Sequence, residues 1–332
     1  MPTVSPFKPR GALRYPHIQS ALASFKPRRW WTLNRFPALK QSERLVIETS
    51  EGVLAADVND HSNPRGHAVL IHGWEGGSDS VYMVSLTNYL FRRGFSVSRL
   101  NLRDHGNTYH LNEAPFHGMR INEVAEAVKQ LVERQTAISG PHILAGYSMG
   151  GNFALRTAAL NDSLQINLDQ VFAISPAVNP YNTMRAIANS PVVYRRYFRK
   201  KWRRSIQAKQ AAWPDLYDFS PALKLDTLDQ MTAYFIDQGL LPEQDARSYL
   251  DGYRVTDKTI NDITVPTEIL TAIDDPVIPV QDIRDLPTNP RVNTTILQHG
   301  GHCGFIQDVR MSSYVDHFIY CHIKDLLKCK NA

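Results

Sequence analysis

A serine framed by glycines at residues 146–150 constrains the fold more than any other feature of the sequence. An apolar run over His142–Ala145 ends at Gly-Tyr-Ser-Met-Gly, and a helix-forming stretch begins directly afterwards at Asn152. The order strand, sharp turn and helix is that of a nucleophile elbow, which raises a serine hydroxyl above the end of a strand. Glycines two positions either side leave room for neighbouring backbone. The pattern therefore predicts that Ser148 is a nucleophile, whereas a chance match on an ordinary turn is the weaker interpretation.

The rest of the chain supplies a sheet for this turn. Short apolar segments alternate with helical patterns, which predicts βαβ units and a parallel sheet. Strands are expected at 43–49, 53–58, 67–71, 95–100, 142–145, 171–175, 267–273 and 294–299. Helices are expected at 15–22, 80–93, 121–137 and 314–327. The predicted fold class is α/β, with a mostly parallel sheet flanked by helices.

The alternation is interrupted after the sixth predicted strand. Residues 179–257 have helical patterns only, and we expect them to form a helical cap inserted before the strand that carries an acid. The cap would cover the carboxyl edge of the sheet, where ligands bind in open α/β folds. The remaining chain is predicted to form one core in two parts, 1–178 and 258–332, in which 1–40 is an N-terminal arm. Trp30 and Trp31 are expected to pack this arm onto the body.

A serine nucleophile needs a base within hydrogen-bond reach and an acid to orient that base. On a strand–turn–helix fold of this kind the chain order is serine, acid, histidine. His302 follows the last predicted strand in a loop with three glycines, which leave the loop free to aim the imidazole. Asp274 and Asp275 follow the strand before it. We predict His302 as the base and Asp275, which directly precedes Pro276, as the acid; Asp274 remains the alternative.

The chemistry also needs donors for a developing oxyanion. The segment His-Gly-Trp-Glu-Gly-Gly at 72–77 follows the third predicted strand, and its glycines allow close approach of backbone amides. We predict an oxyanion hole formed by the backbone amides of Trp74 and Met149. Loss of one such donor typically costs about 10²- to 10³-fold in rate.

A second polar cluster lies at Arg103-Asp104-His105-Gly106. With His110 and His117 it suggests a metal site, but the spacing of metal ligands is missing. We therefore predict no metal and no cofactor, and interpret the segment as a structural loop braced by an Arg103–Asp104 pair. The odd number of cysteines, three, suits a reducing compartment. Cys303 is interpreted as a neighbour of the site rather than as its nucleophile.

The predicted cap contains a dense basic run at 195–204. Such a run is most often a solvated helix face. Its sharper interpretation is contact with an anionic partner, either a phospholipid surface or a phosphorylated acyl carrier. The aromatic residues of the cap either line an acyl pocket or form the cap core: Tyr194, Tyr197, Phe198, Trp202 and Trp213.

Charge and hydropathy restrict the other classes of partner. The formal net charge of +5 does not by itself argue for nucleic acid, and no nucleic-acid-binding signature is present. The sequence contains no run of about 18 apolar residues, so no transmembrane helix is expected. No signal peptide is visible either, so the cytoplasm is the expected location.

Four motifs in chain order resemble those of α/β-hydrolases: His-Gly-Trp-Glu-Gly at 72–76, Gly-Tyr-Ser-Met-Gly-Gly at 146–151, Asp-Asp-Pro at 274–276 and Gly-Gly-His-Cys-Gly-Phe at 300–305. The last two, with Phe-Lys-Pro at 7–9 and His-Ile-Gln at 17–19, resemble the YheT-like esterase subgroup. This resemblance implies a triad of Ser148, Asp275 and His302 and hydrolysis of carboxylic esters without a cofactor. Many relatives have Arg-Gly-x-Gly where this chain has Arg-Asp-His-Gly at 103–106, so their substrate preferences do not transfer.

The resulting hypothesis is a serine esterase that acts on a small-molecule ester through an acyl-enzyme. One alternative is an acyltransferase with the same triad, in which an alcohol replaces water. The other is a hydrolase-like fold that only binds a ligand. If the pKa of His302 is ordinary, esterase activity should rise near pH 6 to 7.

Overall fold

A computed structural model describes residues 5–35 and 41–329 of the chain. Its centre is an eight-stranded sheet in the order β1-β2-β4-β3-β5-β6-β7-β8. The strands are β1 (Glu43–Thr49), β2 (Gly52–Asn59), β3 (Gly66–Ile71), β4 (Phe95–Asn101), β5 (His142–Tyr147), β6 (Gln170–Ile174), β7 (Thr267–Ala272) and β8 (Val292–Leu297). β2 pairs antiparallel with β1 and with β4. The other neighbouring pairs are parallel: β4–β3, β3–β5, β5–β6, β6–β7 and β7–β8. The predicted α/β class and mostly parallel sheet are confirmed.

Helices follow the strands in the predicted alternation. They are α1 (Pro16–Ala23), α2 (Lys26–Arg35), α3 (Val81–Phe91), α4 (Ile121–Glu133), α5 (Met149–Ala159), α6 (Pro180–Asn189), α7 (Val192–Ala212), α8 (Leu228–Asp237), α9 (Ala246–Asp251), α10 (Asp257–Asn261), α11 (Val280–Arg284), α12 (Tyr314–Ile323) and α13 (Leu326–Cys329). Among the described residues, none of these helices is long and apolar enough to cross a membrane.

Both faces of the sheet are covered, which explains why every residue of its central strands is buried, polar ones included. One face packs against α4 and α5, with Val128 and Phe153 in that core. The other packs against α3 and α12, with Leu86 and Phe318 in that core. The five strands β3 to β7 are buried throughout. The carboxyl ends of these strands therefore form a rigid edge on which side chains can be placed.

Every residue between β6 and β7 lies in a helix or a loop, where the sequence predicted a helical cap. These helices have a core of their own, which includes Ile206, Met231 and Phe235. Val277 and Ile278, from the loop after β7, belong to the same core. The helical segment is thereby packed onto the carboxyl edge of the sheet. The exact domain limits at 179 and 257 remain predictions.

A buried glutamine attaches the N-terminal arm to the body of the protein. Gln19 is fully buried; its Nε2 donates to the carbonyl of Ile306 at 3.0 Å, and its Oε1 accepts from the amide of Ile306 at 2.7 Å. The prediction for Trp30 is wrong, because its side chain is 63% exposed. The side chain of Trp31 lies outside the described part of the structure. A polar side chain that pairs with both backbone groups of one buried residue fixes the arm more specifically than apolar contact alone.

Candidate active site

Ser148 lies between β5 and α5 on a strained turn. Its backbone has φ 55° and ψ −114°, a conformation that a non-glycine residue rarely adopts. A Cβ on Gly146 would lie 2.0 Å from the carbonyl oxygen of Gly150, and one on Gly150 would lie 2.4 Å from that of Ile71. Neither position tolerates a side chain. The amide of Ser148 donates to the carbonyl of Ile174 at 2.8 Å, which holds the turn against β6.

The structure brings the three predicted residues into one chain of contacts. The Oγ of Ser148 lies 3.0 Å from Nε2 of His302, and Nδ1 of His302 lies 3.0 Å from Oδ2 of Asp275. Because a carboxylate only accepts, Nδ1 carries the proton in this pair. Nε2 of a neutral imidazole is then left to accept the hydroxyl proton of Ser148.

The two neighbouring aspartates differ in what they contact. The side chain of Asp275 has no exposed surface, and its Oδ1 accepts from the amides of Val277 at 2.8 Å and Ile278 at 3.0 Å. Oδ1 of Asp274 accepts from the amide of Gly301 at 2.9 Å. Asp275 therefore touches the imidazole, whereas Asp274 holds the backbone of the loop that carries it.

The loop of His302 is packed against α1 and is not free, contrary to the expectation from its glycines. A Cβ on Gly301 would lie 2.4 Å from the carbonyl oxygen of Pro16, and one on Gly304 would lie 2.5 Å from that of Gln19. The amide of His302 donates to Oγ of Ser20 at 2.8 Å. The glycines thus permit close approach of a helix. Ser20 is not predicted from the sequence; the motif at 17–19, part of the family resemblance, directly precedes it.

The surroundings of His302 change its titration. Burial alone would lower the pKa of its imidazole, but the Asp275 carboxylate, through its charge and hydrogen bond, raises that pKa well above the ordinary value. Sγ of Cys303 lies 3.9 Å from Nε2 of His302, which makes Cys303 the neighbour that the sequence predicted. His302 is therefore protonated up to a higher pH than an ordinary histidine.

The loop after β3 lies directly against Ser148. A Cβ on Gly73 would lie 3.2 Å from Cβ of Ser148, so only glycine fits without displacement. Met149 begins α5, and the first amides of a helix have no acceptor within it. In residues 5–35 and 41–329, neither the amide of Trp74 nor that of Met149 has a hydrogen-bond acceptor. The two predicted donors are thus unused on either side of the serine.

Glu75 joins this loop to the long helix α7. Its Oε2 accepts from Oγ of Ser205 at 2.5 Å, and its carbonyl oxygen accepts from Nζ of Lys201 at 2.8 Å. Its amide donates to Nε2 of His105 at 3.1 Å. Burial raises the pKa of the Glu75 carboxyl to about 7. The two contacts with α7 join residues at least 126 positions apart in the sequence, so no local sequence pattern predicted them.

The predicted Arg103–Asp104 pair does not form. Arg103 donates to Oε2 of Glu123 in α4 at 2.6 Å, and Oδ1 of Asp104 accepts from Nζ of Lys209 in α7 at 2.9 Å. Consecutive side chains point in different directions here, and each finds a charged partner on a separate helix. The loop is braced, as predicted, but between the core and the cap.

A cavity of about 1240 Å³ lies above Ser148 and His302. Most of its wall is apolar. Aromatic rings come from both the sheet side and the helical segment above it: Trp74, from the loop after β3, stacks on Phe198 of α7 with ring centroids 6.0 Å apart. Four of the five aromatic residues considered for an acyl pocket line it, while the indole of Trp213 donates to a backbone carbonyl elsewhere. Ser148 and His302 therefore line an apolar cavity.

This combination of doubly wound sheet, strained serine turn and capped cavity defines an α/β-hydrolase. A family model described as alpha/beta hydrolase fold matches residues 67–309, so the chain belongs to this family. It is 26% identical over 246 residues to the Escherichia coli (strain K12) protein named "Putative esterase YheT", covering 72% of this chain and 70% of that one. The resemblance predicted from the sequence is confirmed.

Solved structures show the same fold. The Pyrococcus furiosus esterase Pf2001 superposes with a TM-score of 0.56 at 16% identity, over 88% of this chain and 92% of that one. A 2,6-dihydroxy-pseudo-oxynicotine hydrolase superposes with a TM-score of 0.59 at 17% identity, over 93% and 77% of the two chains. At such low identity these likenesses establish the fold alone. The family and the curated relative support a function as a hydrolase or esterase.

Proposed function

We propose that the protein is a serine esterase that hydrolyses carboxylic esters through an acyl-enzyme. The observation that carries the proposal is the unbroken contact chain Ser148–His302–Asp275, with both contacts at 3.0 Å, at the floor of an apolar cavity. A serine with a base in contact and a buried acid behind that base is an activated nucleophile.

Each group has one role in the proposed reaction. Nε2 of His302 takes the hydroxyl proton of Ser148 while Oγ attacks the ester carbonyl carbon. The amides of Trp74 and Met149 hold the oxyanion of the tetrahedral intermediate. The intermediate collapses, the carbon–oxygen bond to the alcohol breaks, and His302 returns the proton to the leaving alcohol. Water then enters, gives a proton to His302 and attacks the acyl carbon; the bond to Oγ of Ser148 breaks, His302 returns the proton to Oγ, and the carboxylic acid leaves.

The wall of the cavity favours esters with an apolar acyl group. Burial of each methylene contributes about 0.8 kcal/mol, so kcat/KM should rise by a few-fold per added methylene until the chamber is filled.

A p-nitrophenyl ester series from acetate upward, together with labelling of the serine by a fluorophosphonate, tests the proposal. No labelling and no hydrolysis by the folded protein would refute it. Product analysis with an added alcohol should show acid rather than the exchanged ester; the reverse result would make the enzyme an acyltransferase.

The pH dependence of the reaction should reflect the raised pKa of His302. The base must be neutral, so kcat/KM falls as pH drops through that pKa. Because the Asp275 carboxylate raises the pKa, the rising limb should lie above pH 6.5, the ordinary histidine value, and not across pH 6 to 7 as the sequence suggested. Initial rates on a soluble ester from pH 5 to 10 measure the limb. A profile that is flat across this range would contradict His302 as the base.

The contact between Glu75 and α7 should set the position of the oxyanion loop. Ser205→Ala removes the donor to the Glu75 carboxylate, and we expect kcat for a short ester to fall about 10- to 100-fold with little change in KM. Gln207→Ala, on the exposed side of the same helix, is the matched control and should behave like the wild type. An equal effect of the two substitutions would show that α7 matters only for stability.

A further inference from the structure

The cavity opens between the arm and the cap helix α7. Residues that line the cavity and are also exposed mark its mouth; they include Phe25 on the arm, and Val193, Tyr197, Lys200 and Arg204 on α7. The four α7 residues follow a spacing of four, three and four, so they share one face of the helix. Oγ of Ser24, next to Phe25, lies 3.4 Å from the hydroxyl of Tyr197. The hydroxyl of Tyr194 on α7 also lies 3.0 Å from Nδ1 of His17 on the arm, so the two sides of the mouth are in contact.

Apolar side chains are exposed around this mouth. The exposed fraction is 69% for Val193, 47% for Val192, 39% for Tyr197 and 38% for Phe25. Single exposed apolar residues are ordinary, but a group from two chain segments at one opening marks a contact surface.

Cations without partners lie beside these apolar residues. Helix α7 contains eight basic residues and no acidic one. Four of them are held by the protein: Arg199, Lys201, Arg203 and Lys209. In the described part of the chain, the other four have no ion-pair or hydrogen-bond partner, and all are exposed: Arg195, Arg196, Lys200 and Arg204. The exposed acid in the cavity wall is Asp79, so positive charge dominates the opening.

We propose that this rim, consisting of Phe25, Val192, Val193 and Tyr197 with the free cations Arg196, Lys200 and Arg204, docks onto an anionic lipid bilayer. Apolar tips enter the headgroup region while basic side chains bind lipid phosphates, an arrangement suited to a membrane interface. The exposed aliphatic side chains of Val192 and Val193 lie beside cations at this opening. A lipid surface can take up such side chains anywhere, whereas an acidic folded protein would need a groove that matches them, so we favour the lipid surface. The opening then faces the bilayer, so that lipid esters enter the cavity directly. Only this last consequence rests on the proposed esterase function.

Vesicle sedimentation tests the docking. Wild-type protein is mixed with vesicles of phosphatidylcholine alone or with about one third phosphatidylglycerol, and the bound fraction is measured from low to high salt. We expect binding to the anionic vesicles that weakens with salt, since screening acts on exposed charge. Ser148→Ala should bind like the wild type, which separates failure of docking from failure of the esterase proposal.

Matched variants locate the contact. A basic residue near the surface contributes roughly five-fold to binding, so Lys200→Gln with Arg204→Gln should weaken binding about 30-fold. Arg291→Gln with Arg310→Gln removes the same charge from exposed positions outside the cavity wall. Val193→Ser should also weaken binding, whereas Val309→Ser should not, although Val309 is 93% exposed. Circular dichroism and thermal unfolding, neither of which depends on esterase activity, verify that each variant is folded.

Three results would overturn the proposal. The first is equal binding to neutral and anionic vesicles, and the second is equal loss in the rim variants and their controls. The third is no vesicle binding combined with binding to an acidic acyl carrier protein, which would assign the rim to a protein partner.

Discussion

Ser148→Ala is expected to lower kcat for a soluble ester about 10⁴- to 10⁶-fold while leaving KM nearly unchanged. The substitution removes the attacking oxygen and keeps the cavity, so binding persists and covalent chemistry stops. The strained turn is held by Gly146, Gly150 and the amide of residue 148, none of which depends on the hydroxyl. Steady-state kinetics with an active-site titration of the wild type measure the loss.

Two further variants sharpen this result. Ser163→Ala replaces an exposed serine outside the cavity wall and should leave kcat unchanged. Cys303→Ala tests the other nucleophilic atom near His302, 3.9 Å from Nε2, and should retain at least a tenth of the activity. If activity survived in Ser148→Ala and disappeared in Cys303→Ala, the thiol would be the nucleophile and the proposed mechanism would be wrong.

Asp275→Asn is expected to lower kcat about 10⁴-fold, because an amide cannot hold the imidazole in the tautomer that accepts the serine proton. It also removes the charge that raises the pKa of His302. The remaining activity should therefore titrate at lower pH than in the wild type, with the rising limb shifted down. The pair of kcat/KM profiles from pH 5 to 10 measures both effects.

The adjacent aspartate supplies the control. Asp274→Asn keeps an oxygen that can accept from the amide of Gly301, so we expect a loss of less than about 10-fold and an unshifted limb. If Asp274→Asn were the more damaging substitution, or if Asp275→Asn left the pH limb in place, the assignment of the acid would be reversed.

The sequence predicted the parts of the site that depend on local backbone. The turn of Ser148 requires glycine at fixed offsets, and the segment around Gly73 requires a residue without a side chain, so both appear as patterns. The order of serine, acid and histidine follows from the connectivity of a parallel sheet, which alternating apolar segments reveal. The placement of Asp275 and His302 after successive strands could be inferred for the same reason.

The parts that escaped prediction depend on which distant elements meet. Arg103 and Asp104 are neighbours in sequence, yet they pair with Glu123 and Lys209, and only the packing of α4 and α7 decides this. Ser20 reaches the amide of His302 across 282 positions. Trp30 suggested packing by its size, but its apolar surface faces outward. Charge, size and periodicity specify an element, whereas the geometry between elements specifies partners.

Because α1 contacts the loop that carries His302, a fragment of the chain without α1 should have an altered active site. The stretch shared with the wider family begins at residue 67, well after Ser20 and Gln19. A fragment cut at that boundary would retain six of the eight strands, β3 to β8, but would lack α1, which contacts the loop of His302. We therefore expect the proposed active site of this chain to depend on α1 as well as on the stretch that the family model matches.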